Sequence, residues 1–84
     1  MDARILVGMN LRRYRNIAQI SQEDLADLAG IDRTYVSGVE RGVRNPTVTV
    51  LQSLADALKI EPAALLAKPD VGLPAKKRLS VPKD

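Results

Sequence analysis

The 84-residue sequence contains no cysteine, histidine, phenylalanine or tryptophan. Without cysteine the chain forms no disulfide, and without either cysteine or histidine it lacks the usual zinc ligands, thiol nucleophiles and imidazole bases. No nucleophile–base pair or phosphate-binding loop is visible either. We therefore predict that the protein is not an enzyme and binds neither a metal nor a cofactor.

Long hydrophobic runs are also missing. The apolar segments are too short to cross a bilayer, and the N-terminus lacks the basic-then-apolar pattern of a signal peptide. We therefore expect a soluble, cytoplasmic protein that makes no membrane contact. Aromatic residues make up 2% of the chain, so the core must be aliphatic. No stretch alternates convincingly at period two, and the fold is predicted to be all-α.

The excess of positive charge lies at one end of the chain. Residues 1–67 hold eight basic and eight acidic side chains, whereas residues 68–84 hold five basic and two acidic ones. The latter segment contains three prolines and no helical period, which is typical of a disordered tail. We predict a folded domain at 1–67 and a basic, proline-containing tail at 68–84. The net charge of +3 therefore says little about the domain itself.

The rest of the chain is organised around the stretch SQEDLADLAGIDRTYVSGVE, at 21–40, which is interpreted as two short helices separated by a tight break. Ser21 and Asp24 have the spacing of a capping box at the start of the first helix. Gly30 suits the left-handed backbone that ends it, and Asp32 is predicted to cap the second helix. Because the second helix is barely two turns long, it needs tertiary contacts to be stable.

Three further helices are predicted around this pair. The first covers 3–18, with Gly8 as a mild weakness inside it. Gly42 is expected to take a positive φ in the basic turn that follows the pair. Thr47 then caps a fourth helix to about residue 58, and Pro62 stands in the first turn of a short fifth helix. The prediction is a compact domain of five helices.

A family resemblance follows from these residues. The pattern S-Q-E-D-L-A-x-x-A-G-I-D-R-T-Y-V-S-G-V-E-R-G resembles the helix-turn-helix of phage repressors and Cro proteins, also called XRE-like. Within it, DRTYVSGVERGVRNP is similar to the controller proteins of restriction–modification systems. The resemblance implies a repressor-like DNA-binding domain with its helix-turn-helix at the second and third helices. The recognition helix, at about 33–40, would then enter the major groove of DNA.

The resemblance also implies roles for individual side chains in binding DNA. The predicted base-reading residues are Arg33, Thr34 and Ser37. The predicted phosphate contacts are Ser21, Gln22, Tyr35, Arg41, Arg44 and Asn45. A solvated surface is the alternative for the arginines, and packing against the motif is the alternative for Tyr35. Gly38 stands where many family members carry a long polar side chain, and one explanation is a close approach to DNA.

An ion pair and a dimer are further implications of the resemblance. In the family, an arginine at the place of Arg15 pairs with the glutamate that ends the recognition helix, here Glu40. A dimer would read two half-sites about 34–36 Å apart. The residues predicted at its interface are Ile60, Leu65 and Leu66, for which packing inside the domain is the alternative.

Together these features predict a sequence-specific transcriptional regulator that acts as a homodimer on a pseudo-palindromic operator. Its partners would be double-stranded DNA and, where the operator lies just upstream of a promoter, RNA polymerase. The alternative is an antitoxin-type regulator whose tail folds onto a partner protein. The few, widely spaced apolar residues of the tail argue against that alternative.

Overall fold

The computed structural model describes residues 2–68, and in this part the chain forms four α-helices and one 3-10 helix. The α-helices are α1 (Ala3–Ala18), α2 (Gln22–Ala29), α3 (Arg33–Glu40) and α4 (Val48–Leu58), and the 3-10 helix is Pro62–Leu66. The predicted all-α fold, with the helix-turn-helix at α2 and α3, is confirmed. The predicted tail at 68–84 lies, apart from Lys68, outside the described residues.

The fifth helix differs from the prediction because it is a 3-10 helix and not an α-helix. The amide of Ala64 donates to the carbonyl of Glu61 at 2.9 Å, and the amide of Ala67 donates to that of Ala64 at 3.4 Å. These bonds span three residues, which is the 3-10 pattern. A segment of five residues is short enough to close in this tighter form.

The starts of α2 and α4 follow the local sequence. The Ser21 hydroxyl accepts a hydrogen bond from the Asp24 amide at 2.9 Å, and the Asp24 carboxylate accepts one from the Ser21 amide at 3.3 Å. The predicted capping box is therefore confirmed. The predicted Thr47 cap is also confirmed, since its hydroxyl accepts a hydrogen bond from the Val50 amide at 3.2 Å.

The turns on either side of α3 depend on glycine. Gly30 has a φ of 73° at the end of α2, and Gly42 has a φ of 78° in the loop after α3. Both values lie in the left-handed region that was predicted for these positions. Asp32 occupies the N-cap position of α3, but its side chain makes no capping hydrogen bond within the described residues.

One aliphatic core joins the five elements. Its largest fully buried side chains are Leu11, Leu25, Leu54, Leu65, Val36 and Val39. Helix α3 packs against both α1 and α2, and the 3-10 helix packs against α1 and α4. Each buried leucine or valine contributes about 1.5–3 kcal/mol of hydrophobic free energy. Packing on two sides therefore stabilises α3, which is too short to persist alone.

The 3-10 helix is fixed to α1 by both apolar and polar contacts. Leu65 is 0% exposed, which corrects its assignment to a dimer interface, because the core of its own chain occupies its whole side chain. Asn10, which is buried in α1, donates from Nδ2 to the carbonyls of Leu65 at 2.9 Å and Ala67 at 2.8 Å. Leu66 stays 47% exposed and Ile60 is half-buried, so both retain surface.

None of the helices within residues 2–68 has the length and hydrophobicity needed to traverse a lipid bilayer.

Candidate nucleic-acid interface

The C-terminal end of α3 is fixed by one buried carboxylate. The Glu40 side chain is 0% exposed, and its two oxygens accept hydrogen bonds from Arg15 Nε at 2.6 Å and Arg15 Nη2 at 3.1 Å. Gln22 Nε2 donates to the same carboxylate at 3.0 Å, and Arg12 Nε lies 3.4 Å from it. A single side chain therefore links the end of α3 to α1 and to the first turn of α2.

The surroundings of Glu40 keep it ionised. Burial raises the pKa of Glu40, but hydrogen bonds from Arg15, Gln22 and Arg12, together with the charge of Arg15, outweigh burial and hold the pKa below its ordinary value. The hydrogen bond to Glu40 in turn raises the pKa of Arg15. Desolvation offsets much of the attraction in such a pair. Its main effect is to orient α3 relative to α1.

A backbone contact between α1 and α3 lies next to this pair. A Cβ atom at Gly8 would lie 2.5 Å from the Val39 carbonyl oxygen and 2.6 Å from that of Glu40. Only glycine therefore allows α1 to approach the last turn of α3 this closely. Helix propensity alone makes Gly8 a weakness of α1, because the local sequence does not reveal the neighbouring backbone.

The N-terminal end of α3 lies at the surface. Arg33 and Thr34 are exposed, and Ser37 follows one turn later, half-buried. Residues four apart lie on the same side of an α-helix, so Arg33 and Ser37 share one side with Arg41, the C-cap residue of α3. The three residues predicted to read bases therefore lie within the first five residues of α3, with Arg33 and Thr34 exposed and Ser37 half-buried.

The start of α2 lies beside Arg33. An open concavity of about 500 Å³ is lined by Arg15, Ser21, Gln22, Glu23 and Arg33. Ser21 uses its hydroxyl oxygen as the cap of α2, and this leaves its hydroxyl proton free to donate. Gln22 uses one N–H for Glu40 and keeps a second. Each of these two predicted phosphate ligands therefore serves the fold and still retains a donor.

The loop after α3 bends back along that helix. The amides of Val43 and Arg44 donate to the carbonyl of Gly38 at 3.0 and 3.2 Å. The guanidinium carbon of Arg44 lies 5.7 Å from the centre of the Tyr35 ring. The structure thus brings Arg44 to α3 and leaves Arg41 and Asn45 exposed nearby. Tyr35 itself is half-buried and packs against the core.

The hydrogen-bond donors on this surface suit a polyanion. The surface offers arginine, hydroxyl and amide donors along one short helix and the segments that flank it. The described residues contain no group of three or more carboxylates placed to hold a metal ion. Donors of these types hydrogen-bond to phosphate oxygens and to base edges in the major groove.

Comparison with known proteins gives the family. The helix-turn-helix family model matches residues 11–65. The control protein C.SmaI of Serratia marcescens is 44% identical over 68 residues, which cover 81% of either chain. The restriction–modification controller protein C.AhdI from Aeromonas hydrophila is similar in structure, with a TM-score of 0.72 and 48% identity over 74% of this chain and 90% of that one.

A third similar structure contains DNA. It is the tetramer of the controller protein C.Esp1396I in complex with its natural 35-base-pair operator, with a TM-score of 0.71 and 31% identity over 77% of this chain and 86% of that one. The present chain belongs to the helix-turn-helix family and is a transcriptional regulator of the controller type. The predicted family is confirmed, and so is the prediction that the protein is not an enzyme.

Proposed function

We propose that the protein binds DNA in a sequence-specific manner, as a homodimer on a pseudo-palindromic operator, with α3 in the major groove. The observation on which this rests is the difference between the two ends of α3. Glu40 is buried and fixed on α1 and α2, while Arg33 and Thr34 are exposed. A recognition helix needs this arrangement because its N-terminal residues approach the base edges.

The exposed end of α3 supplies groups that distinguish base pairs. An arginine such as Arg33 can donate two hydrogen bonds to guanine O6 and N7, which discriminates against other bases by about 1–3 kcal/mol. Thr34 offers a hydroxyl and a methyl group, of which the methyl suits thymine. Ser37, one turn further on, is the third proposed base-reading residue.

Residues on both flanks of α3 are proposed to bind phosphates. Ser21 and Gln22 begin α2, where helix amides and the positive end of the helix dipole favour an anion. Arg41, Arg44 and Asn45 follow α3 and extend this surface. The folded domain as a whole is close to electrically neutral. Its attraction for DNA is therefore proposed to arise from the local arrangement of these groups.

A second copy of the chain is part of the proposal because one recognition helix covers only a few base pairs. Leu66, at the end of the 3-10 helix, and Ile60, just before that helix, both retain surface and are proposed to form the dimer interface. The tetramer of C.Esp1396I on its operator supports assembly of several copies on DNA. Regulation would follow from occupancy of the operator, either by excluding RNA polymerase or by contacting it from an upstream site.

Selection from random duplex DNA with the purified full-length chain tests the proposal. We expect enrichment of a motif with two-fold symmetry. In titrations with that motif, affinity should fall steeply as the salt concentration rises, because binding to the phosphates releases counterions.

The dimer is tested by Leu66→Glu, which should leave the fold intact and shift the protein to a monomer in sedimentation experiments. Weak binding without enrichment would contradict the proposal and would favour a regulator that requires a partner protein.

A further inference from the structure

We propose that Gly38 is a positioning residue for DNA binding: its missing side chain leaves a slot on α3 that holds the side chain of Arg44 against the recognition helix. The inference rests on the proposed function and deepens it. It concerns how one arginine of the binding surface is oriented before DNA arrives.

Backbone hydrogen bonds to Gly38 attach the loop that follows α3 to that helix. The Gly38 carbonyl accepts hydrogen bonds from the amides of Val43 and Arg44 at 3.0 and 3.2 Å. Two donors on one acceptor turn the chain back over the last turn of the helix. The Cα of Arg44 is therefore held beside α3 and not carried away from it by the loop.

The Arg44 side chain then runs across Gly38. A Cβ atom at Gly38 would lie 2.5 Å from Arg44 Cγ, 3.3 Å from Nε and 3.4 Å from Cδ. Gly38 is buried although Arg44 is exposed, as expected if the arginine stem covers the glycine. The position therefore has no room for a side chain while Arg44 keeps this conformation.

The slot ends at the Tyr35 ring. The guanidinium carbon of Arg44 lies 5.7 Å from the ring centre, within the range of about 6 Å for a cation–π contact. Tyr35 precedes Gly38 by three residues, so the guanidinium points from the loop toward the N-terminal end of α3. The charge of Arg44 is thereby held against α3, on a different side of the helix from Arg33, because residues two apart, such as Arg33 and Tyr35, do not face the same way.

Confining the long side chain of Arg44 before DNA binds should strengthen the binding. A free arginine loses rotamer entropy when it is immobilised on DNA, and a side chain already confined loses less. Arg44 is confined by Gly38 below it and Tyr35 at its tip. A side chain at Gly38 should therefore weaken DNA binding by displacing Arg44.

A close approach of α3 to DNA is the competing explanation for Gly38. The two explanations differ in their dependence on Arg44. If the glycine makes room for Arg44, adding a methyl group should harm binding only while Arg44 is present. If the glycine makes room for DNA, the methyl group should harm binding whether or not Arg44 is present.

A double-mutant cycle on the selected operator separates these explanations. Gly38→Ala should weaken binding about fivefold in the wild-type chain, or roughly 1 kcal/mol, and less than about twofold in the Arg44→Ala background. Gly38→Ala in an Arg41→Ala background is the matched control and should retain the full effect. Alanine favours a helix over glycine, so thermal unfolding should confirm that the substituted chain remains folded.

A second measurement tests the slot without DNA. In NMR spectra of the free protein, the Tyr35 ring current should shift side-chain protons of Arg44 upfield, and Gly38→Ala and Tyr35→Leu should each remove the shift. An equal loss of affinity with and without Arg44, or an upfield shift that survives Gly38→Ala, would overturn the inference. If the wild-type chain enriches no DNA motif, the proposed function fails, and the DNA-binding role of Gly38 fails with it. The NMR shift would still show whether Arg44 lies against Gly38 and Tyr35 in the free protein.

Discussion

The two ends of α3 differ in almost every physical respect. At the C-terminal end, Val39 and Glu40 are buried against α1, and Gly8 brings the two backbones into contact. At the N-terminal end, Arg33 and Thr34 are exposed, and the Asp32 side chain makes no capping hydrogen bond within residues 2–68. A helix of eight residues thus has one end that maintains the fold and another available to a partner.

This division follows from the marginal stability of short helices. Eight residues complete about two turns, and too few hydrogen bonds form to offset the cost of ordering the backbone. The helix must therefore be held by burial and ion pairing. Where the ion pair and the closest backbone contact lie at one end, substitution of exposed residues at the other end can alter recognition with little effect on stability. Four measurements test this separation.

The largest effect is expected at Glu40. Glu40→Ala leaves the Arg15 guanidinium, whose side chain is 14% exposed, without its partner. Removing one member of a buried pair destabilises a protein by about 3–5 kcal/mol. Chemical denaturation should show this loss, with Asp27→Ala, an exposed carboxylate on α2, as the control. A loss below about 1 kcal/mol, the range of an exposed pair, would mean that the pair does not hold α3.

Gly8→Ala should have the next largest effect. The added methyl group meets two backbone carbonyls of α3, which cannot move aside as a side chain can. We expect destabilisation of about 1–3 kcal/mol, as for overpacked cores. Gly38→Ala is the matched control, since it also places alanine inside a helix but meets the flexible Arg44. If Gly8→Ala stabilised the protein, as helix propensity alone predicts, the close contact between α1 and α3 would be disproved.

Acid should weaken the C-terminal end of α3. The pKa of Glu40 is lower in the folded chain than its ordinary value of 4.5, so the unfolded chain binds more protons in the acid range. The stability that Glu40 contributes is therefore complete above about pH 4.5 and is lost as the pH falls through the lowered pKa. Glu40→Gln should flatten this part of the curve of unfolding free energy against pH.

Asp2 requires a control in the same experiment. Hydrogen bonds with Arg4 lower the pKa of Asp2 to about 2, so Asp2 also titrates in acid. Both chains compared should therefore carry Asp2→Asn. If the curves with and without Glu40 stayed parallel, the ion pair would not be the source of the acid sensitivity.

The smallest change in stability is expected at Arg33. Arg33→Ala removes an exposed side chain, and the free energy of unfolding should change by less than about 0.5 kcal/mol. Affinity for the selected operator should nevertheless fall, with much less loss on random duplex, because a base contact is removed. An equal loss on both DNAs would show that Arg33 binds phosphate. Arg44→Ala provides the contrast, with a uniform loss and a salt slope reduced by about one.

The local sequence determined the helix boundaries of this protein. Ser21 with Asp24, the Thr47 cap and the positive-φ glycines at Gly30 and Gly42 act over three or four residues, so their effects could be predicted without a fold. The pattern at 21–40 resembled a known motif, and this located α3, the proposed recognition helix.

Only the tertiary structure decided how these helices meet. Leu65 lies in the core and not at a dimer surface, and Asn10 fastens the 3-10 helix to α1. Helix propensity alone counts Gly8 and Gly38 as weaknesses. In the structure Gly8 leaves room for the backbone of α3, and Gly38 leaves room for the side chain of Arg44. Capping and periodicity depend on neighbours along the chain. Burial and close approach depend on atoms tens of residues away, which the local sequence does not specify.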